Sequence, residues 1–322
     1  MAKPRVLCVW DLMGDEKALG RLRSVADVDV VEPNRDWLMA HLHEYDAYLA
    51  TLYVRLDREL LDRAPRLKLV ATPSTGLDHL DLDALKQRGI QLISIKTEFG
   101  LLDQVTATAE LTWALLLAAV RKIPWGFAAA CEGRWARNEF RGHQLSGMTL
   151  GILGVGRLGK MTADYGHAFR MRVLGHDLKP FNVPGAVQVP HVQSVDLDTL
   201  LRESDVISIH IHMTDDNRHF INADRIAKMK DGVVLLNSSR GGIIDEEAML
   251  AALHSGKIGA AGLDVIDGEW RTDLVDHPLI RYAREHDNLV IMPHVGGVTW
   301  ESQRMSHAFV ANKAADALEA NR

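Results

Sequence analysis

Little in this sequence points to secretion, a membrane or a polyanion. Only two cysteines occur in 322 residues, Cys8 and Cys131, and they stand far apart. That argues against a disulfide framework or a cysteine-built zinc site, so no metal is expected and a reducing compartment is the default. The longest apolar stretch lies near residues 111–120 and is closed by Arg121 and Lys122. A bilayer span needs about 20 such residues. The opening Pro4-Arg5-Val6-Leu7-Cys8-Val9-Trp10 is short and runs into acidic residues, so it reads as a first strand and not a secretion signal. No dense Lys/Arg run appears and the net charge is −6, so no nucleic-acid partner is expected. The expectation is a cytoplasmic protein without a membrane segment.

What is present fits an ordinary globular chain long enough for two cores, with 47% hydrophobic and 25% charged residues. β-rich runs alternate with helix-length stretches. The predicted strands are 5–10, 28–31, 47–52, 67–72 and 91–95 in the first half. In the second they are 149–153, 173–176, 206–211, 233–237, 260–264 and 289–292. Such alternation means βαβ units and parallel sheets covered by helices on both faces. Between the two sets, an apolar helical pattern at 105–119 reads as a core helix, or as one shared between domains or subunits. A last helical pattern, 301–320, could return to the first sheet and make the N-terminal domain discontinuous.

The predicted strand 149–153 runs into Gly154-Val155-Gly156-Arg157-Leu158-Gly159. In G-x-G-x-x-G the first glycine permits a tight turn, the second lets backbone approach a pyrophosphate, and the third lets helix and strand pack closely. The helix that follows aims its free N–H groups at the anion. The next strand ends in Asp177, where a carboxylate can bond ribose hydroxyls and repel the extra phosphate of NADP. Lys179, two residues on, works against that repulsion.

A second cluster is Asn237-Ser238-Ser239-Arg240-Gly241-Gly242, which presents an arginine at a strand end, the edge where open α/β sheets bind ligands. Its planar fork matches a carboxylate in two bonds. Leu263-Asp264-Val265 and then Glu269 follow, and Pro293-His294-Val295-Gly296-Gly297 closes the last strand. A histidine at a strand end beside glycines is an acid–base candidate. A neighbouring carboxylate would favour its charged form and select its tautomer. The residues alone therefore give a nucleotide site, an anion clamp and a histidine–carboxylate pair.

These motifs, with Ser204-Asp205-Val206-Ile207-Ser208-Ile209-His210 between them, resemble the D-isomer-specific 2-hydroxyacid dehydrogenase family over about residues 47–299. That family includes phosphoglycerate dehydrogenases and glyoxylate/hydroxypyruvate reductases. The resemblance implies an NAD-dependent oxidoreductase moving a hydride between NAD(H) and a 2-hydroxy or 2-keto acid. It implies Arg240 as carboxylate clamp, His294 as acid–base and Glu269 as its partner. Cofactor contacts would come from Gly154, Gly156, Arg157, Leu158, Gly159, Asp177, Ile211, His212, Ser238, Ser239, Arg240, Asp264, His294, Gly296 and Gly297. Substrate contacts would come from Tyr53, Arg55, Ser74, Thr75, Gly76 and Arg240.

The implied fold is α/β with two doubly wound parallel-sheet domains and a cleft between them. One is a flavodoxin-like substrate domain (1–99 plus 296–322), the other a Rossmann NAD-binding domain (100–295). A homodimer is implied, with 105–119 in the dimerising region. The chain departs from the family pattern at Trp270, where proline is usual, at His212, and in the loop 96–103. All three touch the implied cleft. Two rival readings share the fold. A formate dehydrogenase would replace the acidic partner by an amide, which Glu269 argues against. An NAD-sensing, non-enzymatic partner protein is the other.

Overall fold

The structure, a computed structural model, describes residues 3–10, 15–32, 34–50 and 52–320. The predicted strand 47–52 includes Thr51, which lies outside the described residues. The chain divides into two compact units, Met1–Val105 with Val298–Arg322, and Thr106–Gly297.

The first unit carries five strands: β1 (Arg5–Cys8), β2 (Asp27–Val30), β3 (Ala47–Leu49), β4 (Leu69–Thr72) and β5 (Gln91–Ser94). They pair in parallel in the order β2-β1-β3-β4-β5, a doubly wound, flavodoxin-like arrangement. Side chains alternate between faces along each strand. Val6, Cys8, Ala47, Leu49, Leu69 and Ala71 therefore pack with the helices Glu16–Val25 and Trp300–Ala320. Leu7, Tyr48 and Val70 point to the other face, against Leu38, Leu60 and Leu85. The C-terminal helix contributes Val310, Ala311, Ala314 and Ala315 to this first core, which makes the unit discontinuous in sequence.

The second unit carries β6 (Thr149–Leu153), β7 (Arg172–His176), β8 (Gln193–Ser194), β9 (Val206–Ile209), β10 (Val233–Asn237), β11 (Ile258–Leu263) and β12 (Leu289–Ile291). All are parallel, in the order β12-β11-β10-β9-β6-β7-β8. The chain winds outward from β6 to β8, then restarts at β9 on the other side of β6. The strand order therefore reverses between β6 and β9, the switch point at which open α/β sheets bind ligands. The helix Ala107–Val120 covers one face, with Trp113 and Leu116 packed on Leu150, Ile152, Val234 and Leu236. It is a core helix of this unit. On the other face Leu200, Ile226, Met249, Leu253 and Leu279 cover Ile207, Leu235 and Leu263. Helix starts are set locally: Asp57, Asp81, Asp196 and Asp245 each accept the backbone N–H three residues on.

The units meet in sequence a few residues from the boundaries expected at 99/100 and 295/296. Leu102 packs into the first core, which carries the first unit on to Val105, and the second unit runs on to Gly297. Strand β8, two exposed residues at the sheet edge, has no apolar run to reveal it in the sequence. No single helix among the described residues is long and apolar enough to cross a membrane.

Candidate functional site

The glycine loop leaves β6 at the switch point. Gly154 has φ +95°, a region L side chains rarely adopt, and a Cβ there would lie 2.8 Å from the His210 carbonyl carbon. A Cβ on Gly159 would stand 2.0 Å from the Gly154 carbonyl oxygen. Glycine is therefore required by close approach at both. At Gly156 the opposite holds: it caps the helix Arg157–Ala168, is exposed, supplies no side-chain acceptor, and nothing lies within 4 Å of where its Cβ would be. The loop thus offers a bare helix N-terminus with open space before it, which suits a pyrophosphate. Arg157 and Leu158 are half-buried in the first turn. Asp177 closes the other side. Its Oδ2 accepts the Val155 N–H and its Oδ1 the Lys179 N–H, both at 2.8 Å. Each oxygen keeps a further lone pair for a ribose hydroxyl. These residues fit a dinucleotide.

Ile211 and His212 follow β9 across the switch point. Ile211 is half-buried and His212 exposed, its carbonyl accepting from the Asn217 side chain. Ser238 and Ser239 follow β10. Ser238 is buried, with its hydroxyl 2.6 Å from that of Thr112; Ser239 donates its N–H and hydroxyl to Asn237 Oδ1.

Three adjacent parallel strands then deliver the chemical groups at their carboxyl ends. Arg240 follows β10, Glu269 follows β11 and His294 follows β12. Arg240 is half-buried; its Nη1 donates to the Ser239 carbonyl at 2.7 Å, and its own carbonyl accepts from Asn237 Nδ2 at 2.9 Å. Gly241 lets this loop press on the next one, since a Cβ there would lie 2.0 Å from the Ile266 carbonyl carbon.

His294 sits at φ +54°, an uncommon conformation for a residue with a side chain. It is over-determined by Asp264. The Asp264 carbonyl accepts the His294 N–H, and the two Asp264 side-chain oxygens accept the Val295 and Gly296 N–H groups, all at 2.8 Å. Asp264 is 1% exposed. Burial raises its carboxyl above the usual carboxylate range, against the opposing pull of the two amides. Its observed task is to brace the histidine loop. Gly297 follows exposed.

His294 Nδ1 lies 2.6 Å from Glu269 Oε1, with both side chains about four-fifths buried, at 20% and 17% exposure. The carboxylate can accept the Nδ1 proton, which leaves Nε2 as the end able to give or take one. Glu269 Oε2 is buried with no hydrogen-bond partner among the described residues. The Trp270 ring stacks near the imidazole, with centroids 6.0 Å apart and planes at 25°. A mostly apolar cavity of about 830 Å³ borders the pair, lined in part by Trp125, Trp270, Leu289 and Ile291. Both side chains are mostly buried, so the charge interaction is screened less than in bulk water.

The substrate candidates of the first unit also stand at or after strand ends. Ser74, Thr75 and Gly76 follow β4 and are half-buried; Tyr53 and Arg55 follow β3 and are exposed. Neither the Glu246–His277 contact, 3.3 Å from Nε2 to Oε2, nor the Thr112–Ser238 bond was foreseen from sequence. Both join residues far apart in the chain, and no spacing rule signals them.

Comparisons with known proteins agree with the fold. Residues 113–296 match the model for the D-isomer specific 2-hydroxyacid dehydrogenase NAD-binding domain. The chain is 36% identical to the hydroxypyruvate reductase of Thermotoga maritima over 90% of its own length and 91% of the relative's. It is 35% identical to the glyoxylate reductase of Thermofilum pendens, over 97% and 91%. Among solved structures, the Aquifex aeolicus D-lactate dehydrogenase in complex with NAD and lactic acid superposes with a TM-score of 0.84 at 30% identity, covering 98% of this chain and 96% of that one. The chain belongs to the D-isomer-specific 2-hydroxyacid dehydrogenase family and is an NAD-dependent enzyme of that kind.

Proposed function

We propose that the enzyme interconverts a 2-keto acid and its D-2-hydroxy acid, with His294 as acid–base, Glu269 as its partner and Arg240 as the carboxylate clamp. The observation that carries this reading is the 2.6 Å His294–Glu269 contact at the end of β12, two strands from the Arg240 loop. When bound, NADH supplies the hydride that reduces the keto carbon.

Arg240 receives the substrate carboxylate in its fork and polarises the keto oxygen. His294, held by Glu269 with Nε2 outward, gives its proton to that oxygen and takes it back in the oxidising direction. The first-turn amides of Arg157 and Leu158 face the pyrophosphate, with Gly154, Gly156 and Gly159 shaping their loop. Asp177 accepts from the ribose. Ile211, His212, Ser238, Ser239, Gly296 and Gly297 line the remaining cofactor contacts, and Asp264 adds a spare lone pair to the nicotinamide carboxamide. On the first unit, the amides of Ser74, Thr75 and Gly76 bind the substrate carboxylate, and Tyr53 and Arg55 select its side chain.

The family resemblance also supports a cytoplasmic homodimer. Ile123 and Phe127, just beyond the helix Ala107–Val120, expose 52% and 70% of their surface, and such side chains suit a subunit contact. NADH oxidation measured over a panel of 2-keto acids tests the activity. Turnover with at least one small 2-keto acid is expected, and no turnover with any would refute it.

Asp177 governs cofactor choice in this reading. Asp177→Ala is expected to weaken NADH binding by about 1.5–3 kcal/mol, the worth of a charge-assisted hydrogen bond, and to narrow the preference over NADPH. Fluorescence titration with both cofactors measures this. A wild-type preference for NADPH would transfer control to Lys179 and contradict the assignment.

A further inference from the structure

Beneath the turn that carries Glu269, one peptide group is gripped from both sides. Glu246 stands first in the helix Glu246–Ser255, and its Oε1 accepts the Asp267 N–H at 2.7 Å. His277 Nδ1 accepts the Leu279 N–H at 3.3 Å, which makes Nε2 the protonated nitrogen. That Nε2 lies 3.2 Å from the Asp267 carbonyl oxygen and 3.3 Å from Glu246 Oε2. The N–H and C=O of Asp267 are thus both engaged, two residues before Glu269.

The charged groups around this place include the Asp267 carboxylate itself, Arg218, which pairs with it, and Asp273, whose charge reaches His277. His277 is 3% exposed. Burial, with the nearby Asp267 carboxylate adding to it, pushes the Glu246 carboxyl up to about 7, against the Asp267 amide and Arg218. A buried carboxyl–imidazole contact is costly to keep, and no step of the proposed reaction uses it.

We propose that Glu246 and His277 are positioning residues that, by holding both polar groups of Asp267, fix the turn aiming Glu269 at His294. The inference rests on the reading of Glu269 and His294 as a working pair. Bonds to both ends of a residue limit its rotation, and the link onward is only Gly268, at φ +70°. Release of Asp267 therefore lets Glu269 drift, and a misplacement of about 1 Å can cost roughly 10²-fold in rate.

The test is steady-state reduction of a 2-keto acid by Glu246→Ala, Glu246→Gln and His277→Phe, each alone and with Glu269→Gln, alongside NADH titration. Glu246→Ala and His277→Phe are expected to lower kcat by roughly tenfold or more, with KM and NADH affinity little changed. Glu246→Gln, whose carbonyl oxygen accepts the same N–H, is expected to restore most of the loss. In the Glu269→Gln background neither substitution should cost more, because residues acting through one group are not additive. Wild-type kcat in Glu246→Ala, a glutamine variant as poor as the alanine one, or multiplying losses would overturn the proposal. If Glu246→Ala does not fold, His277→Phe and Glu246→Gln carry the same comparison. A fully active Glu269→Gln would instead refute the pair itself. That result is distinct from an impaired Glu269→Gln beside an intact Glu246→Ala.

Discussion

His294→Ala is expected to lower keto-acid reduction by about 10²–10⁴-fold, the usual contribution of a positioned acid, at every pH measured. The loss should fall on kcat while the fold stays intact. The backbone of this loop does not depend on the imidazole: the Asp264 carbonyl bonds the residue's N–H, and the Asp264 side chain bonds those of Val295 and Gly296. What disappears is a group with one nitrogen on a carboxylate and the other left to exchange a proton. Residual turnover comes from orientation by Arg240 and the cofactor loop. The packing cost is modest, since the ring that stacks near the imidazole belongs to the half-exposed Trp270. Activity measured across the pH range, with a melting curve of each variant, checks this. A His294→Ala enzyme as active as wild type would remove the acid–base assignment.

Arg240→Lys should be nearly as damaging although charge is kept. Lysine offers a point charge where arginine offers a planar fork. Removing one charge-assisted bond costs about 1.5–3 kcal/mol, or roughly tenfold to a hundredfold and more in kcat/KM. The Nη1 bond to the Ser239 carbonyl, which sets the plane of the fork, goes with it. NADH affinity should change far less, because the loop backbone is held independently by Asn237 and by the tight seat of Gly241 on Ile266. Comparable kcat/KM in the two forms would make Arg240 a structural arginine.

The sequence reveals most where a residue's job is local. The spans of β6 and β10 are readable as apolar runs bounded by glycine or polar residues. The loop 154–159 is readable because each glycine answers a distinct steric demand. Strand ends shift by one to three residues elsewhere, since hydrogen bonding to a neighbouring strand and not composition decides where pairing stops. β8 escapes because two exposed polar residues at a sheet edge carry no pattern. The bracing of His294 by Asp264 escapes for another reason. The motif marks Asp264 as important, but only the fold shows both its oxygens turned to backbone amides. Glu246 and His277 are the extreme case, two unremarked residues on different elements that converge on one peptide.

The central claim is that Glu269 and His294 act as one unit, and a double-mutant cycle on kcat/KM for keto-acid reduction, with Glu269→Gln, His294→Ala and the two together, tests it most directly. The 2.6 Å contact joins Nδ1 to a carboxylate oxygen, and glutamine preserves an acceptor but not the charge. Glu269→Gln should lower kcat/KM when His294 is present and cost nothing further once His294 is alanine, because residues that act through one another are not additive. Losses that multiply in the double variant would contradict the account.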